Sequence, residues 1–160
     1  MRLNVGRHET VGGMKRATQH TSSAAVLATG AELSRRGYDV TFTLGNTRRV
    51  DMLCAIPDGK SFKVQVKGIS NANGFYIDKS FFAGSTQRDL FLVVVLVPPI
   101  GDGAQIRFFV LSHANARTEF SKMPKSKKDG RPYVNGSGLN WGSVKSYESR
   151  WDKFPAIREH

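Results

Sequence analysis

The residue types and spacing of Asp51, Gln65 and Lys67 suit metal-assisted hydrolysis of a phosphodiester bond. A hard divalent cation such as Mg²⁺ prefers oxygen ligands, here the Asp51 carboxylate, the Gln65 side-chain oxygen and a backbone carbonyl near Val66. Such an ion polarises the scissile phosphate and lowers the pKa of a bound water. Lys67 is placed to hold or help deprotonate that water and to offset charge in the transition state. The sequence therefore predicts a magnesium site on these side chains, with Mn²⁺ as a substitute.

A tight turn between two strands is what brings these side chains together. The strands, predicted over residues 48–56 and 61–69, alternate strictly between apolar and polar side chains. The Pro-Asp-Gly sequence between them favours a three-residue loop closed by glycine, because proline cannot take the positive φ of a two-residue type I′ turn. In that register Asp51 lies opposite Gln65. One face then collects Val50, Met52, Cys54, Ile56, Phe62, Val64 and Val66, and the other Asp51, Ser61, Lys63, Gln65 and Lys67.

A helix over residues 22–36 is predicted to pack against this sheet. Serine and threonine hydroxyls precede an alanine-rich run and Gly37 follows it, which are the signals of a helix start and end. Ala25, Ala28 and Glu32 fall on one face of that helix. Such a small face allows a close approach to the sheet and adds Glu32 to the site as a second carboxylate.

Glu32 has a second interpretation, and so does the site as a whole. On a helix, Glu32 is also spaced to form ion pairs with Arg35 or Arg36. An aspartate and a lysine on an exposed strand face are, in addition, often no more than a solvated surface. The sequence leaves both alternatives open.

The rest of the chain completes an α/β domain. Residues 89–97 form a continuous apolar run, which is typical of a strand buried on both faces. Strands are also predicted over 38–44 and 105–111, and a helix over 114–120 after the capping Ser112. The predicted organisation is an N-terminal arm at 1–19, a core at 20–120, a basic loop at 121–138 and a C-terminal region at 139–160 with a helix around 141–152.

The composition indicates one domain in a reducing compartment. The chain has 160 residues, of which 39% are hydrophobic, enough for a core of its own. Its single cysteine, Cys54, falls on the apolar strand face, so there is no internal disulfide framework. The four histidines lack metal-ligand spacing, which argues against a zinc site. With no apolar N-terminal segment and no apolar run of membrane length, we expect a soluble, cytoplasmic protein.

The charge of the chain indicates a polyanionic partner. Its 24 lysines and arginines against 13 aspartates and glutamates give a net charge of +11. Such an excess favours nucleic acid, because each neutralised phosphate releases counterions. We expect DNA, with RNA as an alternative. The residues assigned to nucleic-acid binding are Arg35, Arg36, Arg48, Arg49, Lys63, Lys122, Lys125, Lys127, Lys128 and Arg131.

Residues 20–111 resemble the core of the PD-(D/E)XK nuclease superfamily. The resemblance lies in a helix containing AEL, a following strand and then the segment RRVDMLCAIPDGKSFKVQVKG. The resemblance implies a restriction-endonuclease-like α-β-β-β-α-β core with a mixed central sheet flanked by helices. It also implies that Asp51 is the signature aspartate, Lys67 the signature lysine and Glu32 the helix acid. Gln65 stands where most members have an acid, as in subgroups with a Gln-x-Lys variant. The segments after the core resemble small bacterial members of the superfamily.

The sequence thus predicts a Mg²⁺-dependent endonuclease that acts on DNA. Two other classes stay open: a weak or inactive DNA-binding module that keeps the fold, and a subunit of a larger DNA-processing assembly. A chain of this length has little room for a separate base-reading domain. We therefore expect a homo-oligomer such as a dimer, or a substrate recognised by its branched or single-stranded structure.

Overall fold

Five strands form one mixed sheet at the centre of the fold. The computed structural model describes residues 18–43, 50–57, 59–101, 103–124 and 137–157. The strands are β1 (Asp39–Phe42), β2 (Met52–Ala55), β3 (Ser61–Ile69), β4 (Phe75–Ile77), β5 (Leu90–Leu96), β6 (Arg107–Ser112) and β7 (Ser137–Leu139). The helices are α1 (Thr18–Arg35), α2 (Lys79–Phe82), α3 (His113–Ser121) and α4 (Trp141–Val144), followed by 3-10 turns at Lys145–Tyr147 and Trp151–Lys153.

The sheet order confirms the predicted α/β class with a mixed sheet flanked by helices. The central sheet runs β1-β2-β3-β5-β6, and a second, two-stranded sheet pairs β4 with β7. Strands β3 and β5 are parallel, whereas the other neighbours in both sheets are antiparallel. Within the described ranges, no helix is both long and apolar enough to cross a membrane.

The predicted register of the β2–β3 hairpin is confirmed. Met52 is paired with Val64, and the Ile56 N–H donates to the Lys60 carbonyl at 2.9 Å. Gly59 has a φ of +87°, which a side chain would strain. The glycine therefore sets the length of the loop, and the loop in turn sets which residues of β3 lie beside the start of β2.

Each face of the central sheet packs against its own hydrophobic layer. As predicted, β5 is buried on both faces, because every residue from Leu90 to Val95 is buried. One layer, on the side of α1, includes Phe62, Val64, Phe91 and Phe154. The other, formed with the short helices, α3 and the β4–β7 sheet, includes Ile77, Phe81, Leu92, Ala116 and Leu139. The sheet is thus the middle layer of the fold.

The first helix lies in direct contact with β3. Its buried residues recur at nearly every fourth position and include Thr21, Ala25, Thr29 and Leu33. A Cβ atom on Gly68 would lie 2.7 Å from the Thr21 carbonyl oxygen and 2.9 Å from the Ala25 Cβ. Only glycine permits this approach, and it sits immediately after Lys67 in the chain. The contact therefore fixes the backbone that carries Lys67.

The bounds and the buried face of α1 differ in part from the prediction. The helix begins at Thr18, so the last two residues of the predicted arm are helical, and it ends at Arg35 before Gly37, whose φ is +89°. Ala28 and Glu32 are only half-buried. The reason is that a stripe repeating every four residues drifts around the helix and leaves these two positions at its margin.

The prediction of a continuous helix around 141–152 is wrong. Helix α4 ends at Val144, and two separate 3-10 turns follow it. Ser149 has a φ of +51°, and its N–H donates to the Phe108 carbonyl at 2.8 Å. This left-handed residue interrupts the helix and holds the segment against β6. Residues 137–138 also depart from the predicted loop, because they belong to β7.

Cys54 is expected to resist thiol reagents in the folded protein. The side chain is only 1% exposed on the α1 side of the sheet, and burial raises the pKa of its thiol to about 12. Because the thiolate is the reactive form, a disulfide reagent at mildly alkaline pH should label the thiol only after unfolding in guanidinium. Stoichiometric labelling of the native protein would contradict this placement of Cys54.

Candidate active site

Asp51, immediately before β2, is hydrogen-bonded on both sides. Its N–H donates to the Val64 carbonyl at 2.9 Å, and its own carbonyl accepts from the Thr43 N–H at 3.0 Å. One carboxylate oxygen, Oδ2, accepts from the Val66 N–H at 2.6 Å. Burial raises the pKa of the Asp51 carboxyl, and the Val66 hydrogen bond offsets part of that rise. The second carboxylate oxygen forms no hydrogen bond or ion pair with the residues that the structure describes.

Gln65 presents a buried acceptor that has no partner. Its Oε1 atom is shielded from solvent and accepts no hydrogen bond from the residues that the structure describes. Leaving such a group unpaired costs about 1–3 kcal/mol. Folded proteins tolerate few atoms of this kind, and they tend to occur where a ligand or ion completes the pairing. Gln65 is therefore the strongest local indication of a binding site.

Lys67 is a half-buried ammonium without a counter-ion. Among the described residues it forms no ion pair and no side-chain hydrogen bond. Burial lowers the pKa of its side chain, because desolvation penalises the charged form. The neutral amine is thus more accessible near neutral pH than it is for an ordinary surface lysine.

The face that carries Gln65 and Lys67 is less open than the alternation suggested. Their partners on parallel β5, Leu92 and Val94, are fully buried on the same side of the sheet, and Ile69 is 7% exposed. This side belongs to the second hydrophobic layer, so the polar positions lie at its edge. The alternative of a fully solvated strand face does not describe Gln65 or Lys67.

Glu32 forms ion pairs with Arg35 and Arg36, which was the alternative to its predicted role as a second carboxylate of the site. Its carboxylate lies 2.9 Å from Arg35 Nη1 and 2.9 Å from Arg36 Nη2. The Arg36 guanidinium in turn stacks over the Trp151 ring, with its carbon 4.4 Å from the ring centroid. No hydrogen bond or ion pair of the described chain joins Glu32 to Asp51. The backbone hydrogen bonds of Asp51 thus place it beside the part of β3 that carries Gln65 and Lys67, whereas Glu32 is paired with the two arginines.

The described basic residues assigned to nucleic acid all have carboxylate partners. Besides the two arginines beside Glu32, Lys63 pairs with Asp89 at 3.1 Å and Lys122 with Glu119 at 2.9 Å. In each pair the cationic side chain is at least partly exposed, so it is reachable from solvent. The remaining six assigned residues lie outside the described ranges; they are Arg48, Arg49, Lys125, Lys127, Lys128 and Arg131.

The oxygen donors of Asp51 and Gln65 are of the kind that Mg²⁺ takes as ligands. No group of three or more histidine, cysteine, aspartate or glutamate side chains that could hold a metal occurs in the described part of the chain. The available donors are the second Asp51 oxygen and the unpartnered Gln65 Oε1. Mg²⁺ commonly keeps several waters and binds through one or two carboxylates together with substrate phosphates. The donor set therefore fits Mg²⁺ better than a metal that needs a closed protein cage.

No protein-family model matches the sequence, and no curated protein matches it. Among solved structures, a bacterial homing endonuclease, I-Ssp6803I, is similar over 85% of this chain and 90% of that chain, with 17% sequence identity and a TM-score of 0.48. At this level of similarity no residue of that enzyme is carried over to this chain.

Proposed function

We propose that the protein is a metal-dependent endonuclease that hydrolyses phosphodiester bonds of DNA. Its active site would consist of Asp51, Gln65 and Lys67. The observation that carries the proposal is the occurrence, on two neighbouring strands, of a half-buried carboxylate, a buried amide oxygen without a described partner and a half-buried ammonium without a described counter-ion. Each of these groups destabilises the folded state, because a charged or unpaired polar group is shielded from water. Perturbed groups of this kind cluster at functional sites.

The order of the elements supports a place in the PD-(D/E)XK superfamily. Helix α1, the antiparallel strands β1 to β3, the four-residue helix α2 and β5, which is parallel to β3, follow in the order that the resemblance implies, with β4 inserted before α2. Asp51 stands immediately before β2, and Gln65 and Lys67 stand within β3. Gln65 takes the position of the usual acid, so the site holds one carboxylate rather than two.

The three side chains have separate tasks in the proposed reaction. Asp51 and Gln65 would hold Mg²⁺, which when bound polarises the scissile phosphate and acidifies a bound water. Lys67 donates hydrogen bonds to the phosphate or the attacking water and stabilises the negative charge that develops. Its lowered pKa also allows the neutral amine to accept a proton from that water.

A divalent-metal nicking assay tests the proposal directly. Purified protein is incubated with supercoiled, single-stranded and branched DNA in Mg²⁺, Mn²⁺, Ca²⁺ or a chelator, and DNA binding is followed in parallel by fluorescence anisotropy. We expect cleavage in Mg²⁺ or Mn²⁺ and none with the chelator. Salt-sensitive binding without cleavage in any ion would instead favour a DNA-binding module, the alternative that the single carboxylate of the site supports.

Replacing Gln65 by glutamate is expected to reduce the Mg²⁺ concentration needed for cleavage by roughly tenfold, because ligand charge sets the affinity of oxygen-ligand cation sites. The variant should also lose stability without metal, since it places a second carboxylate where burial already raises the pKa of Asp51. Cleavage is titrated with Mg²⁺, and Mn²⁺ binding is measured by calorimetry. Gln105→Glu is the control, because Gln105 is an exposed glutamine away from β3. An unchanged metal requirement in Gln65→Glu would remove Gln65 from the ligand set.

A further inference from the structure

Thr43 makes two hydrogen bonds to the backbone that carries Asp51. The residue is half-buried and follows directly after β1. Its hydroxyl donates to the Val50 carbonyl at 2.5 Å, and its N–H donates to the Asp51 carbonyl at 3.0 Å. One threonine thus holds the carbonyl groups of two consecutive residues, the second of which is the candidate metal ligand.

Asp51 needs these contacts because it lies outside the regular strand. Strand β2 begins at Met52, one residue later. On the β3 side Asp51 has its N–H bond to Val64 and its carboxylate bond to Val66. On the β1 side the described anchors of this backbone are the two bonds from Thr43. The side chain therefore lies between two supports, and the threonine hydroxyl is a support that a strand ladder would not supply.

We infer that Thr43 is a positioning residue for the Asp51 carboxylate. The inference rests on the proposed function. Without the hydroxyl, the Val50 carbonyl loses its partner and the peptide before Asp51 can rotate. The second carboxylate oxygen then shifts relative to Gln65 Oε1. Loss of a residue that orients a metal ligand typically costs about 10- to 100-fold in metal affinity.

Thr43→Val tests the inference because valine keeps the β-branched shape and removes only the hydroxyl. Thr43→Ser restores the hydroxyl, and Thr41→Val is a matched control at an exposed position of β1. The first measurement uses metal-free protein and follows amide hydrogen exchange at Val66, whose N–H donates to the Asp51 carboxylate. The second measures Mn²⁺ affinity by calorimetry.

We expect Thr43→Val to accelerate exchange at Val66 selectively and to weaken Mn²⁺ binding about tenfold or more, while Thr43→Ser and Thr41→Val behave like the wild type. If Thr43→Val does not fold, Thr43→Ala carries the same measurements. A uniform rise in exchange with unchanged Mn²⁺ affinity overturns the inference and leaves the proposed function intact. A wild-type protein that neither binds Mn²⁺ nor cleaves DNA overturns both.

Discussion

Replacing Asp51 by asparagine is expected to abolish DNA cleavage and, at the same time, to raise thermal stability at neutral pH. Burial raises the pKa of the Asp51 carboxyl, and none of the described residues forms an ion pair with it. The ionised side chain therefore opposes folding. The asparagine oxygen can still accept the hydrogen bond from the Val66 N–H. The variant thus keeps this hydrogen bond, and it replaces the second carboxylate oxygen by an uncharged NH2 group.

The pH dependence of this gain follows from the direction of the pKa shift. Because the pKa of Asp51 is higher in the folded than in the unfolded chain, the folded protein binds more protons between these two values. The stability of the wild type therefore falls as the pH rises through the raised pKa. Asp51→Asn lacks this loss. Its advantage in melting temperature should be largest at neutral pH and should shrink as the carboxyl becomes protonated.

Thermal melting of both proteins from about pH 4 to about pH 8, together with plasmid nicking in Mg²⁺ and Mn²⁺, measures the two effects. Asp39→Asn is the control, because Asp39 is an exposed carboxylate on β1, and it should change neither quantity. If the Asp51 carboxylate instead stabilised the fold, Asp51→Asn would lower the melting temperature. Lower stability of Asp51→Asn at neutral pH, or undiminished cleavage, would remove Asp51 from the proposed role.

The hairpin that carries the site could be predicted because its determinants are local. Strict alternation assigns each residue to a face, and the loop closed by Gly59 sets the register. Together these two features place Asp51 beside Gln65, as the observed pairing of Met52 with Val64 requires. The ion pairs of Glu32 could also be predicted as an alternative, because Arg35 and Arg36 lie three and four residues after it on the same helix.

The surroundings of the site could not be predicted, because they come from distant segments. Phe75 pairs with Leu139, and both belong to the layer that shares a face of the sheet with Gln65 and Lys67. The alternation of side chains along β3 contains no information about that layer. The half-burial of Gln65 and Lys67 therefore could not be predicted from the sequence of β3. The hydrogen bond from the Thr43 hydroxyl could not be predicted either, because a threonine at the end of a strand can form several other hydrogen bonds.

Replacing Lys67 by methionine is expected to reduce cleavage by about 10²- to 10⁴-fold, the usual contribution of a positioned acid or base. Methionine has a similar length and fills the same half-buried space without charge. Because burial lowers the pKa of Lys67, the folded wild type binds fewer protons than the unfolded chain above the lowered value. Wild-type stability therefore rises with pH in that range, whereas Lys67→Met lacks this dependence and is more stable at neutral pH.

Single-turnover cleavage across a range of pH, with DNA affinity measured by anisotropy, separates the two tasks of Lys67. Lys67→Arg keeps a positive charge that cannot be released at accessible pH, so it should retain cleavage if charge is enough and lose it if the lysine accepts a proton. Lys145→Met, at an exposed position, is the control for the loss of one positive charge from the protein. Wild-type cleavage by Lys67→Met would exclude both tasks. Equal losses of cleavage and affinity in Lys67→Met and Lys145→Met would reduce Lys67 to one phosphate contact among many.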